Sequence, residues 1–392
     1  MASASRSFFG LDLLDDRYPA LHGLRVLAIV SVIQFHVTWI FAGEQGIALD
    51  HDFVEASLTI FFGMDLFFVL SGFLIGSILL HSVESQGKQQ IRRFYLRRIF
   101  RTFPSYYVVL TVLAVATTLT VAQRRNLPLE YLYATNFVWF GRDKVLMFWG
   151  WSLALEEQFY LTVPLLFFLL YKLRSDRARV AVLSAMWLSA LVVRLVIFFR
   201  HAPWTDLALY GTLYFRTHTR FDTLVAGILL ALVHRRWGGA IRAWLVHPFH
   251  RALLALPALG CLWLLLRPAL FGPETLQLVH VFAWGTLTTV MWFLTLILLL
   301  HGDEGAFVRR ALSRPIFRRI ATLGYGVYLV HIPICDHVVV PVAHALHARH
   351  ASLTLIWIGS LIALTALSIA AAYVMHGLIE KPSLRVREWL AA

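Results

Sequence analysis

The sequence predicts an all-α protein: a polytopic membrane bundle of about ten transmembrane helices, with both termini cytoplasmic. Three observations predict it. Of 392 residues, 59% are hydrophobic and 15% charged, against about 45–50% and about 25% in soluble domains. Apolar runs close to the roughly 20 residues that cross a bilayer recur along the whole chain. Lysine and arginine gather in alternate connections, as membrane insertion requires. A soluble globule could not hide this much apolar surface, and disorder needs low hydrophobicity.

The first run, 24–43, follows MASASRSFFGLDLLDDRYPALHG. Acidic residues ahead of it and the lack of a small-residue cleavage site do not fit a signal peptide, so it reads as a retained span. Runs at 57–80, 104–122, 149–172 and 180–199 follow. The sixth, 208–233, opens on the polar stretch YGTLYFRTHTRFD and is the weakest. Runs at 252–270, 277–300, 319–340 and 353–379 complete the set. The segment 241–250 is too short to cross and is expected at the interface. The longest stretches read as connections are 81–103 and 123–148. No repeat or low-complexity tract interrupts the pattern, so a single transmembrane domain over 1–392 is expected, with no appended soluble domain. Cys261 and Cys335 lie in apolar runs and give neither a disulfide framework nor metal spacing. His344, His347 and His350 recur at helical spacing, but read as a solvated face; no metal is expected.

The formal net charge is +13. Nucleic-acid binding is one reading of such a balance, topology another. With ten spans and the N-terminus inside, 25 of the 35 Lys and Arg residues fall in inside connections and 9 in outside ones. That asymmetry favours topology and excludes a nucleic-acid partner. The remaining residue, Arg194, lies towards the outer end of its span and is expected to snorkel.

Ionisable groups in the hydrocarbon region are costly and mark sites or pathways. Span 1 carries His36, span 2 Asp65, span 4 Glu156 and Glu157, and span 9 His331. At about 1.5 Å per residue, the two histidines lie roughly 16 Å from the inner edge, and Asp65 and Glu157 roughly 18 Å. Groups at one depth can share a site. Arg25 and His36 are separated by three turns plus about 20°, so they share a helix face. Histidine beside a carboxylate is the usual general-base unit, and Asp65 or a glutamate of span 4 could orient the ring. Taken alone, His331 reads first as a hydrogen-bonded packing residue, and the glycines of GMDLFFVLSGFLIG as points of close helix approach. The basic cluster Arg92, Arg93, Arg97, Arg98 and Arg101 reads either as topology with anionic-lipid contact or as a phosphate clamp.

These motifs, in order, resemble the acyltransferase-3 family of membrane O-acyltransferases, which move acyl groups onto hydroxyls of sugars and other acceptors. LHGLRVLAIVSVIQFH is similar to its first-helix signature, an Arg and a His separated by ten residues, here Arg25 and His36. GMDLFFVLSGFLI, FYLRRIFRTFP with Arg98 and Arg101 as R-x-x-R, WSLALEEQFYL, RFDTLVAGILLAL with Arg220 and Asp222, LGYGVYLVHIP and the EKP at Glu380 follow in family order. The resemblance covers residues 21–382. It implies an acyl-CoA donor, often acetyl-CoA, entering from the cytoplasm. It implies essential His36 and Arg25, a grip on the nucleotide by Arg98, Arg101, Arg97 and Arg93, and a glycan or other hydroxyl acceptor reached from the outer side or the bilayer. Asp65, Glu157 and Glu156 join the catalytic set. Ser71, Arg220, Asp222, Tyr328 and His331 are substrate-side candidates, with Ser71 or Tyr328 as oxyanion donors. Transfer is direct or through an acyl-histidine. Some relatives carry a soluble hydrolase-like domain after the tenth span; here direct transfer or a separate partner is expected. The implied location is the bacterial inner membrane. The competing reading is a transporter or flippase with the buried layer as proton relay, which lacks the repeated half it would need. A non-catalytic scaffold would leave the buried ionisable groups without a reason.

Overall fold

The computed structural model describes residues 11, 13–44, 49–58, 62–84, 88–138, 141–201, 204–267, 273–303 and 306–391. Among the described residues the regular structure is helical throughout. Ten helical segments are long and apolar enough to cross a membrane, from Pro19–Gly43 to Leu353–Leu390. The expected number is therefore met, while several boundaries move for physical reasons.

Helix α1 runs Pro19–Trp39, with proline in its first turn where no amide partner is lost. A short helix α2, His51–Leu58, precedes α3, Gly63–Glu84. The first correction concerns α4, Lys88–Ala116. Most of the segment 81–103, expected as a loop, is helical, and the span begins at Ile91 rather than 104. Arg, Lys, Gln and Leu are good helix formers, and their charge lowers hydropathy without weakening the helix. Pro104 lies inside α4 and has no amide for the Phe100 carbonyl. The Ser383 hydroxyl donates to that carbonyl at 2.7 Å.

Helix α5, Val121–Tyr131, opens with a capping box of Thr120 and Gln123. One face of it carries a side-chain ladder to the turn at 142–144. Thr120 Oγ1 donates to Asp143 O at 2.7 Å, Gln123 Nε2 to Arg142 O at 2.8 Å and Asn126 Nδ2 to Lys144 O at 2.9 Å. Glu130 accepts the amides of Leu146 and Met147, each at 2.8 Å. Burial pushes the Glu130 carboxyl up from its ordinary range, and the two amide bonds oppose that rise. This strap leads into α6, Trp151–Leu170.

Helix α7 is Asp176–His201. The polar stretch after it does not enter a continuous span at 208, as expected. It breaks into α8 (Asp206–Leu209), a π-helical turn Tyr210–Tyr214 and the single-turn α9 (Thr217–Arg220), and the sixth span is α10, Asp222–Trp244. An acidic residue in the first turn suits the helix dipole. The segment 241–250 is not a helix of its own. It is the end of α10 and the start of α11, Pro248–Leu265, capped by the His247 side chain. Helices α12 (Pro273–Phe282), α13 (Thr288–His301), α14 (Phe307–Leu312), α15 (Pro315–Ile334), α16 (Val340–His347), α17 (Leu353–Met375) and α18 (Lys381–Ala391) follow.

The chain divides into two compact units. One comprises Met1–Gly63, Arg93–Val109 and Phe307–Ala392; the other comprises Met64–Arg92 and Leu110–Ala306. In the first, α15 packs against α1 and α17. In the second, α3 meets α10 backbone to backbone. A side chain on Gly72 would strike the Leu224 carbonyl, and one on Gly227 the Val69 carbonyl. This is the close approach expected of the α3 glycines.

Candidate functional site

In the first unit the uninterrupted helix α1 keeps Arg25 and His36 on one face, roughly 16 Å apart along the axis. Both are half-buried. Polar ties fix the helix around His36: Gln34 donates to the Ser57 carbonyl at 3.0 Å, and the Trp357 indole donates to Thr38 Oγ1 at 2.9 Å. His331, on α15, is fully buried, and its Nε2 lies 3.1 Å from His36 Nδ1. The rings stand 4.9 Å apart at 52°. His36 Nδ1 also lies 3.0 Å from its own helix's Val32 carbonyl, and His331 Nδ1 2.6 Å from that of Tyr328. The Tyr328 ring packs 5.4 Å from His331. The structure thus brings together His36, His331 and Tyr328, three of the residues singled out in the sequence.

The basic segment of α4 is held by its backbone. Tyr325 Oη donates to the Thr102 carbonyl at 2.9 Å, beside the Ser383 bond to Phe100. Its arginines divide. Arg98 and Arg101 are half-buried and one turn apart, while Arg92, Arg93 and Arg97 are exposed. Arg98 lies 6.0 Å from the centre of the Phe94 ring. Further along this unit, His376 Nδ1 sits 2.6 Å from Glu380 Oε2 in a buried i,i+4 pair. The sequence reading had noted Glu380 without its partner.

The second unit holds its charges differently. Asp65 and Arg220 form a fully buried ion pair at 2.5 Å, with the guanidinium 4.6 Å from the centre of the Tyr214 ring. Arg194 is the clearest correction. It does not snorkel; it is fully buried and ion-paired with Asp222 at 2.7 Å. Its other donors reach the Val281 and Thr219 carbonyls at 3.1 and 2.6 Å and Thr286 Oγ1 at 2.6 Å. One guanidinium therefore ties α7 to α9, α10, α12 and the π-helical turn Ala283–Leu287. Gly285 makes room for it. Its φ is +83°, and a Cβ there would meet Asp222 Oδ2 at 2.5 Å.

Ser71, on α3, shares a 2.7 Å hydroxyl contact with Tyr160 of α6. Glu156 and Glu157 are half-buried on α6. Beside them Gln158 joins Asn136 and Thr217: Thr217 Oγ1 donates to Gln158 Oε1 at 2.6 Å, and Gln158 Nε2 to Asn136 Oδ1 at 2.9 Å. Tyr160 and this amide cluster carry no expectation from the sequence, and Arg194 carries the wrong one. Arg194 alone had a usable sequence signal, a charge inside an apolar run.

Ten membrane-length helices define an integral multi-pass membrane protein. The family profile described as an acyltransferase domain matches residues 18–377, and the chain belongs to that family, acyltransferase-3. The chain is 29% identical over 338 residues to the peptidoglycan O-acetyltransferase OatA of Listeria monocytogenes, covering 81% of this chain and 49% of the relative. It is 29% identical over 335 residues to the "Putative peptidoglycan O-acetyltransferase YrhL" of Bacillus subtilis, covering 81% of this chain and 48% of the relative. A "Putative O-acetyltransferase" of Staphylococcus aureus (strain COL) matches at 28% over 230 residues, 55% of this chain and 34% of that one. The chain thus spans about half the length, or less, of these relatives. No solved structure matches.

Proposed function

We propose that this chain is a membrane O-acetyltransferase that takes the acetyl group of cytoplasmic acetyl-CoA and delivers it to a hydroxyl of a cell-envelope glycan, in a bacterial inner membrane. The single observation that carries this reading is that His36, on a helix whose same face carries Arg25, pairs with His331 of α15, within a chain of this family. The relatives' names point to peptidoglycan as the acceptor. The excess of Lys and Arg in alternate connections supports cytoplasmic termini and a donor entering beside α4.

In this mechanism Arg98 and Arg101 clamp the phosphates of CoA, with exposed Arg93 and Arg97 drawing the nucleotide in. The pantetheine arm passes Arg25 and places the thioester at His36. His36 takes the proton of the acceptor hydroxyl while that oxygen bonds to the acyl carbon. The C–S bond then breaks, and the proton passes from His36 to the CoA sulfur. Tyr328, whose ring packs against His331, is the candidate oxyanion donor. In the second unit Asp65, Arg220 and Asp222 act through their ion pairs, holding its helices in place.

The test is thiol release and label transfer from radiolabelled acetyl-CoA by the purified protein in nanodiscs. His36→Ala is expected to abolish both while leaving the thermal transition in place. Unchanged thiol release in that variant overturns the assignment. Acceptor flux without CoA release would mark a transporter.

A further inference from the structure

Each imidazole of the buried pair is tied to a carbonyl of its own helix. His36 Nδ1 lies 3.0 Å from Val32 O, and His331 Nδ1 2.6 Å from Tyr328 O. A carbonyl oxygen only accepts, so each Nδ1 carries a proton. His36 Nδ1 also faces His331 Nε2 at 3.1 Å. The His36 hydrogen is therefore shared between Val32 O and His331 Nε2 in a three-centre bond. His331 Nε2 accepts it with a lone pair, so His331 is neutral. The reverse arrangement, with the proton on His331 Nε2, would set lone pair against lone pair at both carbonyls, in a buried site where unmet acceptors are costly.

We propose that His331 is a positioning residue that, together with the Val32 carbonyl, holds His36 in the Nδ1–H tautomer, so that Nε2 is the nitrogen that takes the acceptor's proton. This rests on the reading that His36 is the base. As the hydroxyl proton moves to Nε2 and the oxygen bonds to the acyl carbon, His36 becomes a cation. Its Nδ1–H bond to His331 is then charge-assisted and strengthens. An interaction that is stronger in the transition state than in the ground state raises kcat rather than tightening substrate binding. When the C–S bond breaks, the proton leaves Nε2 for the CoA sulfur. His331 keeps its single proton throughout and touches no reacting atom.

The experiment uses the full chain in nanodiscs, with radiolabelled acetyl-CoA and soluble peptidoglycan fragments as probes, and compares His331→Phe, His331→Gln and His36→Ala. His331→Phe is expected to lower kcat about 10- to 100-fold with the KM for acetyl-CoA within about twofold, a part of what a general base supplies. His331→Gln offers an amide oxygen to the same hydrogen and is expected to recover most of that loss. Nitrogen-15 spectra of histidine-labelled protein add a readout that a purely structural role would not move. The wild-type signal that disappears in His36→Ala is expected to show a protonated Nδ1 and a bare Nε2, and to become a tautomer mixture in His331→Phe. Full activity in His36→Ala defeats the base reading itself. Loss in His36→Ala, with kcat and the Nδ1–H signature intact in His331→Phe, overturns only the positioning role. Should His331→Phe fail to fold, the wild-type spectrum decides: an Nε2–H tautomer at His36 overturns the inference.

Discussion

The two compact units treat buried polarity in opposite ways. In the second unit, full charges are consumed in pairs. Arg194 spends four N–H bonds on Asp222, Thr286 and two carbonyls, and Arg220 is bound to Asp65. Charges so paired fix where helices meet. In the first unit, two imidazoles face each other, and the Nδ1 of each faces a carbonyl of its own helix, Val32 or Tyr328. A neutral imidazole costs little to bury and can still take up a proton. The difference teaches that depth in the bilayer alone does not mark a reactive group; protonation chemistry and the number of committed bonds separate staples from reagents.

The most severe way to break this comparison is to remove one half of a staple. Arg194→Met leaves Asp222 buried without its ion-pair partner and is expected to cost about 3–5 kcal/mol, read as a lowered melting temperature in detergent. His36→Gln, by contrast, is expected to shift stability by less than about 1 kcal/mol while removing at least about 100-fold of transfer activity. A large stability loss in His36→Gln would erase the distinction. Adding Asp222→Leu to Arg194→Met is expected to restore part of the lost stability, because two apolar groups leave no unpaired charge.

Gly285→Ala is the next test. It forces a side chain onto a φ of +83° and against the Asp222 carboxylate, at an expected cost of about 1–3 kcal/mol, read as a lower midpoint in a denaturant series. The smallest effect is expected at Glu130. Its carboxyl is pushed up by burial, so the folded state holds the proton more tightly than the unfolded chain. The sign is then set: its stabilising contribution is complete below the ordinary carboxylate range and is lost as pH rises through the folded value. Hydrogen exchange at Leu146 and Met147 is expected to quicken over that rise, beyond the intrinsic base dependence. Glu130→Gln is expected to flatten that extra component.

Much of the fold was legible because a bilayer imposes a length on apolar runs, and ten such runs stood out. Where the reading failed, charge misled hydropathy. The segment from Lys88 reads as a loop because its arginines depress a window average, although they favour helix. Arg194 looked like an interfacial residue because its partner lies 28 positions away, and no local pattern announces that contact. The candidate site was legible in part. Depth and angular spacing single out His36, His331 and Arg25, but depth cannot give contact, and the histidine–histidine bond is not foreseen by it. Tyr160 and the Asn136–Gln158–Thr217 cluster are ordinary residue types whose meaning comes from three segments meeting. That is a property of the folded chain and not of any stretch of it.

Pro104 and Ser383 lie almost three hundred positions apart, yet the defect of one is mended by the other. Each is therefore conditional on its counterpart. An alanine at 104 would supply the missing amide and make the hydroxyl at 383 dispensable, whereas loss of that hydroxyl alone would leave a carbonyl stranded. Homologues that have traded one should have been released from the other, so a coupled change at these two positions is a signature to look for in the history of the chain.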